Sequence, residues 1–263
     1  MRKTLKGMGV AIVTPFTNDG EVDYAALENL VQMHLDCGTD FLCVLGTTGE
    51  TPTLTTDEKR EIRKRIIKQV DGRMPIMVGI GGNCTRAVVE ELQNEDLTGV
   101  DGILSVAPYY NKGNTESLYR HFATIANAVN IPIILYNVPS RTGIDVPISV
   151  YQRLSRIPNI AGVKEASNDI TKIAKIRNAC GEQFTIWSGN DDQIVPLLSL
   201  GGKGVISVLS NILPKPHQRD EHTRTHHRHN QSRHGFDGEV LFSPFSSKIS
   251  IVSSGGFRPI PWE

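Results

Sequence analysis

The chain has 263 residues, which suffices for one large domain with a well-buried core or for two small domains. Its 28 basic and 28 acidic residues balance to a formal net charge of zero, so nothing suggests nucleic acid or an anionic membrane as a partner. Its four cysteines show no CxxC pair and no histidine at zinc-site spacing. We therefore expect no disulfide framework, no structural metal and a reducing, cytoplasmic location.

Eight short apolar runs recur along the chain and predict strands. Most are rich in Val and Ile and lack polar alternation, which is typical of strands buried on both faces of a parallel sheet. None approaches the ~18 apolar residues of a membrane span. The runs are Gly9–Phe16, Phe41–Gly46, Ile76–Gly81, Gly102–Pro108, Pro132–Pro139, Ile160–Ala166, Phe184–Gly189 and Gly204–Asn211.

Helical patterns lie between these runs. Asp23 is placed to cap a first helix that ends at Gly38, and Thr55 with Glu58 forms a capping-box pattern for the second. The sixth pattern is followed by Gly181, a common residue after a helix end. The remaining starts are indicated by Thr85, Thr115, Pro147, Asn168 and either Asp191 or Asp192.

Eight strands alternating with seven helices predict an α/β protein with a parallel sheet and right-handed crossovers. Eight units favour a closed (β/α)₈ TIM barrel over an open doubly wound sheet. The glycine-rich strand end Gly79–Cys84 also lacks the third glycine of a dinucleotide-binding turn. In a barrel, functional side chains are expected at the carboxyl ends of the strands.

Two candidate residues end neighbouring strands. Lys164 lies near the end of the sixth run, where burial disfavours an ammonium and favours a free amine that can attack a ketone. Its alternative is an ion pair, for example with Glu165. Tyr136 ends the fifth run, where its phenol is either a proton donor and acceptor or an ordinary core tyrosine.

Three further segments follow strand ends. The turn that contains Thr47 and Thr48 offers backbone N–H groups and hydroxyls to a carboxylate, or is an ordinary polar turn. Arg141 suits bidentate carboxylate recognition, or is a solvated loop residue. Tyr109 and Tyr110 suit an interface or a proton relay. Their joint placement indicates one site.

Five motifs, in order across residues 1 to about 215, resemble the dihydrodipicolinate synthase family of pyruvate-dependent Schiff-base aldolases. The resemblance implies a TIM barrel and a lyase that condenses pyruvate with aspartate 4-semialdehyde in lysine and diaminopimelate biosynthesis. It implies no metal or organic cofactor, and a homo-oligomer, either a dimer or a tetramer. The motifs are Gly46–Glu50, Pro108–Asn111, Tyr136–Gly143, Gly162–Ala166 and Gly204–Val208.

The resemblance also implies the catalytic roles. Lys164 would form the Schiff base with pyruvate. Tyr136, Thr47 and Tyr110 would form a proton relay, with Tyr110 reaching in from a neighbouring subunit.

The implied binding residues complete the site. Thr48 would join Thr47 on the pyruvate carboxylate, Arg141 would bind the carboxylate of the semialdehyde, and the backbones of Gly189 and Ile206 would line the pocket. One alternative is another pyruvate-dependent aldolase, of the sialic-acid lyase or keto-deoxy-sugar type, which Arg141 disfavours. A second alternative is a catalytically dead barrel.

Feedback inhibition by lysine is expected to be weak or absent. Asn83 and Tyr109 match the effector site of the family. Ala87, however, stands where sensitive members carry a glutamate, and Lys59 stands where some carry a histidine. The loss of a carboxylate weakens the capture of a cation.

The character of the chain changes near Lys215. Six of the eight histidines fall between His217 and His234, and serine-rich sequence follows. We therefore divide the chain into a barrel domain, 1–215, and a tail, 216–263, that is disordered or the product of a reading-frame shift. The resemblance implies that the tail stands where the family has the eighth barrel helix and a helical C-terminal region. Strand eight is then expected to be uncovered, and the protein less stable and prone to aggregate.

A metal-binding role is the rival interpretation of the tail. The closely spaced histidines could ligate zinc or nickel, although we expect such binding to be adventitious rather than an evolved function. The candidate ligands are His222, His226, His227 and His229.

Overall fold

A computed structural model describes residues 4–214 and, beyond them, residues 238–242 and 249–253. Eight parallel strands close into a barrel in chain order, with the eighth paired to the first. The predicted α/β barrel is therefore confirmed. The strands are β1 Gly7–Ala11, β2 Phe41–Val44, β3 Ile76–Gly79, β4 Gly102–Val106, β5 Ile133–Asn137, β6 Ile160–Glu165, β7 Thr185–Ser188 and β8 Gly204–Ser207.

Helices connect successive strands, as the alternation predicted. The short α5 was not predicted, because a single turn leaves no periodic pattern in the sequence. Short 3₁₀ turns cover Thr47–Gly49, Thr51–Thr53, Asp191–Gln193 and Leu209–Asn211. The helices are α1 Tyr24–Cys37, α2 Thr56–Val70, α3 Thr85–Asn94, α4 Thr115–Ala128, α5 Pro139–Thr142, α6 Ile148–Leu154, α7 Ile170–Cys180 and α8 Ile194–Ser199.

The predicted helix caps are mostly present. Asp23 accepts a hydrogen bond from the backbone N–H of Ala26, and Thr55 with Glu58 forms the full capping box of α2. Gly38 ends α1 with a φ of 72°, a left-handed conformation that glycine adopts without a Cβ clash. The predicted start of α7 was one residue early, because Asp169 is the residue that caps it.

The strands are buried on both faces, which explains their unbroken apolar sequence. Phe41, Met77, Trp187 and Ile206 pack inside the barrel, while a larger apolar cluster fills the layer between strands and helices. Within the described residues, no helix has the length and apolarity that crossing a bilayer requires.

Two polar side chains, one of them buried, hold the segment that follows β8. Asn211 donates from Nδ2 to the carbonyl of Ala11 (2.8 Å) and accepts from the N–H of Val13 (3.1 Å). Asp191 accepts from the N–H groups of Val208 and Leu209, both at 3.0 Å. The exit of β8 is thus fastened to β1 on one side and to the start of the helix before β8 on the other.

The expectation that β8 itself is uncovered is wrong. Val205 is buried and α8 contacts both β7 and β8, while Ile206 is buried inside the barrel. The exposed apolar side chains lie beside the strand instead, at Val195 (74% exposed), Leu198 and Leu213.

Two strands lie in the tail, where no regular structure was expected. β9 (Gly238–Phe242) pairs antiparallel with β10 (Ile249–Ser253). Both segments contain β-branched residues, which favour strands. The four histidines of the candidate metal site lie outside the described residues, and the domain division at 215 stays a prediction.

His34 and His121 predict sensitivity to acid. Burial lowers the pKa of each imidazole to about 4. As the pH falls from about 6.5 to about 4, the unfolded chain binds protons that the folded chain does not, so the free energy of unfolding decreases. Melting temperatures at about pH 7 and about pH 4.5 should therefore differ less for a His34→Gln, His121→Gln double variant than for the unaltered chain. An equal acid shift in both proteins would contradict this.

Candidate active site

Lys164 and Tyr136 face each other at the carboxyl ends of β6 and β5. They are partners in the parallel register of the two strands. Lys164 Nζ lies 4.5 Å from the centroid of the Tyr136 ring. Lys164 is 4% exposed and Tyr136 is 7% exposed, so an amine and a phenol share a site largely screened from water. Ammonium and aromatic face attract each other at this separation.

A cavity of about 410 Å³ opens above this pair. Six of the predicted site residues line it, and they come from the loops or ends of β2, β5, β6 and β7. The predicted residues in the cavity are Thr47, Thr48, Tyr136, Arg141, Lys164 and Gly189. The other lining residues are Glu50, Pro52, Thr53, Val138, Ser140, Ala166, Asn168, Asn190 and Val208.

The turn after β2 is held in place from both sides. Thr14 Oγ1 donates to the carbonyl of Gly49 (2.7 Å), and Thr51 Oγ1 donates to the carbonyl of Gly46 (2.9 Å). The internal bonds of the 3₁₀ turn use the N–H groups of Gly49 and Glu50. The two threonine amides that precede them are the ones a 3₁₀ turn leaves for an external acceptor.

Arg141 is carried by the single turn α5 rather than by a loop. Gly143 ends this turn with a φ of 68° and donates its N–H to the carbonyl of Pro139 (2.9 Å). Thr142 Oγ1 donates to the carbonyl of Ile144 (3.0 Å), which fixes Ile144 relative to the turn. The guanidinium is therefore mounted on a short ordered element at the mouth of the cavity.

Cys43 lies inside the barrel beneath the site. Burial raises the pKa of its thiol to about 11, although the charge of Lys164 acts in the opposite direction. The thiol therefore stays protonated near neutral pH and does not compete with the amine as a nucleophile.

Two predicted site residues do not line the cavity. Tyr110 is 85% exposed and has a left-handed φ of 72°, a strained conformation for a tyrosine. Ile206 is fully buried inside the barrel, and Val208, two residues further on, lines the cavity. The roles assigned to both residues stay predictions.

An amide pair at the rim was not predicted. Asn190 Nδ2 donates to Asn168 Oδ1 at 2.8 Å, which links the loops after β7 and β6. Asn168 has a left-handed φ of 64°, which asparagine tolerates better than most residues. The position of Asn168 after a strand end is the only sequence signal for this pair, and the same position also suits the helix start that was predicted there.

Comparison with known proteins agrees with this geometry. A family model described as "Dihydrodipicolinate synthetase family" matches residues 4–220. The 4-hydroxy-tetrahydrodipicolinate synthase of Phocaeicola vulgatus is 51% identical over 216 residues, which are 82% of this chain and 73% of that protein. The chain belongs to the dihydrodipicolinate synthetase family.

Solved structures of the dihydrodipicolinate synthetase family have the same barrel. The chloride-inhibited enzyme from Acinetobacter baumannii, complexed with pyruvate, is 43% identical with a TM-score of 0.79, over 81% of this chain and 74% of that one. The Cyanidioschyzon merolae enzyme with lysine bound is 40% identical with a TM-score of 0.78, over 81% of this chain and 73% of that one.

The positions compared with the family's effector site fall into two groups. Lys59 and Ala87 line a cavity of about 310 Å³ between α2 and α3. Asn83 Nδ2 donates to the carbonyl of Tyr109 at 3.3 Å, which fixes the segment before Tyr110.

Lysine should inhibit this chain weakly, and an Ala87→Glu variant should be more sensitive. The added carboxylate would attract a cation, which we expect to lower the half-inhibitory lysine concentration by roughly tenfold. An Ala87→Gln variant, which adds similar bulk without charge, is the matched control. Steady-state inhibition curves give the comparison. Strong inhibition of the unaltered chain by sub-millimolar lysine would contradict the prediction.

Gly189 should not accept a side chain. A Cβ there would lie 2.6 Å from the Cβ of Ala166, which would have to shift, and 3.2 Å from both the carbonyl oxygen of Glu165 and Cε of Lys164, which would have to give way slightly. We expect Gly189→Ala to reduce kcat/KM by roughly 10- to 100-fold, because small misplacements of reacting groups are costly. The control is Gly82→Ala, whose Cβ meets only Val88 Cγ2 at an ordinary 3.6 Å. Equal activity of the two variants would contradict the expectation.

Proposed function

We propose that the chain condenses pyruvate with aspartate 4-semialdehyde to 4-hydroxy-tetrahydrodipicolinate through a Schiff base on Lys164. The observation that carries this proposal is the buried amine of Lys164 against the ring of Tyr136, in a cavity that also holds Thr47, Thr48 and Arg141. A nucleophile, a proton carrier and carboxylate-binding groups are the parts that this reaction needs.

The first half of the reaction activates pyruvate. The free amine of Lys164 adds to the ketone carbon, and loss of water gives an iminium ion. The positive nitrogen withdraws electrons and makes the methyl group acidic, so that removal of one proton yields an enamine. We assign the proton transfer at this step to Tyr136, which the 4.5 Å between its ring centroid and the lysine nitrogen supports. The lysine itself is the electron sink, so the proposed reaction needs no cofactor.

The second half forms the carbon–carbon bond. The enamine carbon attacks the aldehyde of the second substrate, which becomes a hydroxyl after protonation. The amine of that substrate then attacks the iminium carbon and closes the ring. The lysine leaves as a free amine, ready for the next cycle, and no oxidant or reductant is consumed.

The two carboxylates have separate binding groups. Thr47 and Thr48 offer amides and hydroxyls to pyruvate on the side of β2, while Arg141 offers a guanidinium at the mouth to the semialdehyde. This division supports the semialdehyde over the sugar-derived substrates of related aldolases. A homo-oligomer in which Tyr110 completes a neighbour's proton relay, and a cytoplasmic location, belong to the same proposal.

Borohydride trapping tests the Schiff base directly. Reduction in the presence of pyruvate should add the mass of a reduced pyruvate adduct to the peptide that contains Lys164, and a Lys164→Arg variant should gain none. A guanidinium cannot form the imine because it stays protonated. Lys172, also buried but in the helix layer, is the internal control and should remain unlabelled.

Substrate consumption then identifies the second partner. Loss of aspartate semialdehyde with pyruvate, measured beside a keto-deoxy sugar acid, separates the two aldolase classes. Labelling of Lys164 without turnover of the semialdehyde would reject the substrate. The absence of any adduct would reject the enzymatic proposal altogether.

A further inference from the structure

A buried polar network lies on the other side of the strand that carries Lys164. Successive residues of a strand point to opposite faces, so Glu165 points out of the barrel toward the helices. It is 2% exposed. Its register partner on β5 is Asn137, as Tyr136 is the partner of Lys164. The pair of residues proposed to do chemistry is therefore followed, one residue further along each strand, by a buried polar pair.

Both carboxylate oxygens of Glu165 have partners. Oε1 accepts from Asn137 Nδ2 (2.8 Å) and from the N–H of Ser167 (2.9 Å). Oε2 accepts from the hydroxyl of Tyr151 (3.2 Å) and lies 4.0 Å from Lys172 Nζ. These contacts join β6 to β5, to α6 and to α7.

Asp145 extends the network to the segment that follows Arg141. It accepts from Asn137 Nδ2 at 2.8 Å and forms an ion pair with Lys172. Asn137 Oδ1 accepts from the N–H of Val146 at 3.1 Å. We call Asn137, Asp145, Tyr151, Glu165 and Lys172 the rear network.

Stability alone is a poor reason for such a network. Burial of ionised groups costs free energy, and buried ion pairs are often no more stable than apolar replacements. Burial raises the pKa of Glu165 despite the opposing charge of Lys172. The pKa of Tyr151 is raised well above its usual value by burial and by Glu165, so the phenol stays protonated and donates. Such networks are better explained by the unique geometry that they impose.

The pairing of β5 with β6 is irregular, so its register is a feature that the rear network can fix. The register between β5 and β6 shifts at Ile133 and Ile134, so the ladder is not uniform along its length. A shift of one residue would turn every side chain to the opposite face. The bonds from Asn137 to Glu165 lie at the far end of this ladder, directly after the Tyr136 and Lys164 pair.

We infer that the rear network is a positioning device, in which Glu165, Asn137 and Tyr151 hold the tips of β5 and β6 so that Tyr136 meets the amine of Lys164. The inference rests on the proposed function, since it assigns these residues to the geometry of that reaction. None of the five lines the cavity, so they act through Lys164 and Tyr136 and not on substrate.

The test is a double-mutant cycle between Tyr151→Phe and Tyr136→Phe. Tyr151→Phe removes one buried hydroxyl and leaves Glu165 bonded to Asn137 and Ser167. It should lower kcat by roughly tenfold with little change in the KM for pyruvate, because misplaced reacting groups slow the chemical step. In the Tyr136→Phe background, Tyr151→Phe should lower kcat by less than about twofold. The reason is that the phenol whose position Tyr151 is proposed to fix is already absent from that background.

Melting temperatures separate positioning from stability. The destabilisation by Tyr151→Phe should be the same in both backgrounds, whereas the effect on kcat should not. Tyr119→Phe is the matched control, because this tyrosine also lies in the helix layer but contacts Arg153 instead of the network. It should leave kcat unchanged. If Tyr151→Phe does not fold, Asp145→Asn, at a half-exposed member of the network, takes its place in the cycle.

Each outcome decides between the alternatives. The positioning role would be overturned if Tyr151→Phe left kcat unchanged, or if it lowered kcat equally with Tyr136 and with Phe at position 136. The proposed function would still stand in that case, provided that pyruvate is trapped on Lys164 in the unaltered chain. No trapping in the unaltered chain would remove both. A loss confined to the background that retains Tyr136 supports the inference.

Discussion

The burial of two ionisable neighbours on one strand is the constraint on which this structure depends. Lys164 faces the inside of the barrel and Glu165 faces the helices, and each is almost inaccessible to water. A charge in such a place is unfavourable unless partners compensate for it. The aromatic ring of Tyr136 lies against the lysine, while Asn137, Tyr151 and Lys172 surround the glutamate. The rest of the barrel holds these partners at the required distances.

The residues of the site stand on two kinds of element, strands and short turns. The groups proposed to react, Lys164 and Tyr136, stand on strands, whose register fixes them to one another. The groups proposed to bind carboxylates stand on short turns, each fastened by hydrogen bonds to its surroundings, as Thr14 fastens Gly49. This arrangement lets binding groups vary between relatives while the chemistry is kept, as is general for barrel enzymes.

Sequence reasoning predicted the barrel, the strand ends and most of the cavity. It succeeded where a residue's position follows from periodicity, as for Lys164 at the end of β6. It also succeeded where a local cap determines the start of a helix, as for Thr55 and Glu58. The family resemblance supplied the roles, which composition and spacing left open.

Prediction from the sequence failed where contacts between distant parts of the chain determine the local structure or its burial. The rim pair of Asn168 and Asn190 forms between two loops that are distant in sequence, and no local pattern encodes that meeting. The single turn α5 was too short to show a period. Strand β8 was expected to lose its outer cover because no helical pattern follows it in the sequence, yet the preceding helix α8 contacts it.

The hydrogen bonds of Asn211 bear on the order in which the fold forms. They join residues about 200 positions apart, 198 to Val13 and 200 to Ala11, so the ring cannot close until nearly all of the barrel sequence has been synthesised. Contacts over such separations form slowly, because a long loop must first be ordered. Until then β1 has an unpaired edge that can pair with another chain. The pairing of β8 with β1, which the bonds of Asn211 fasten, removes this open edge.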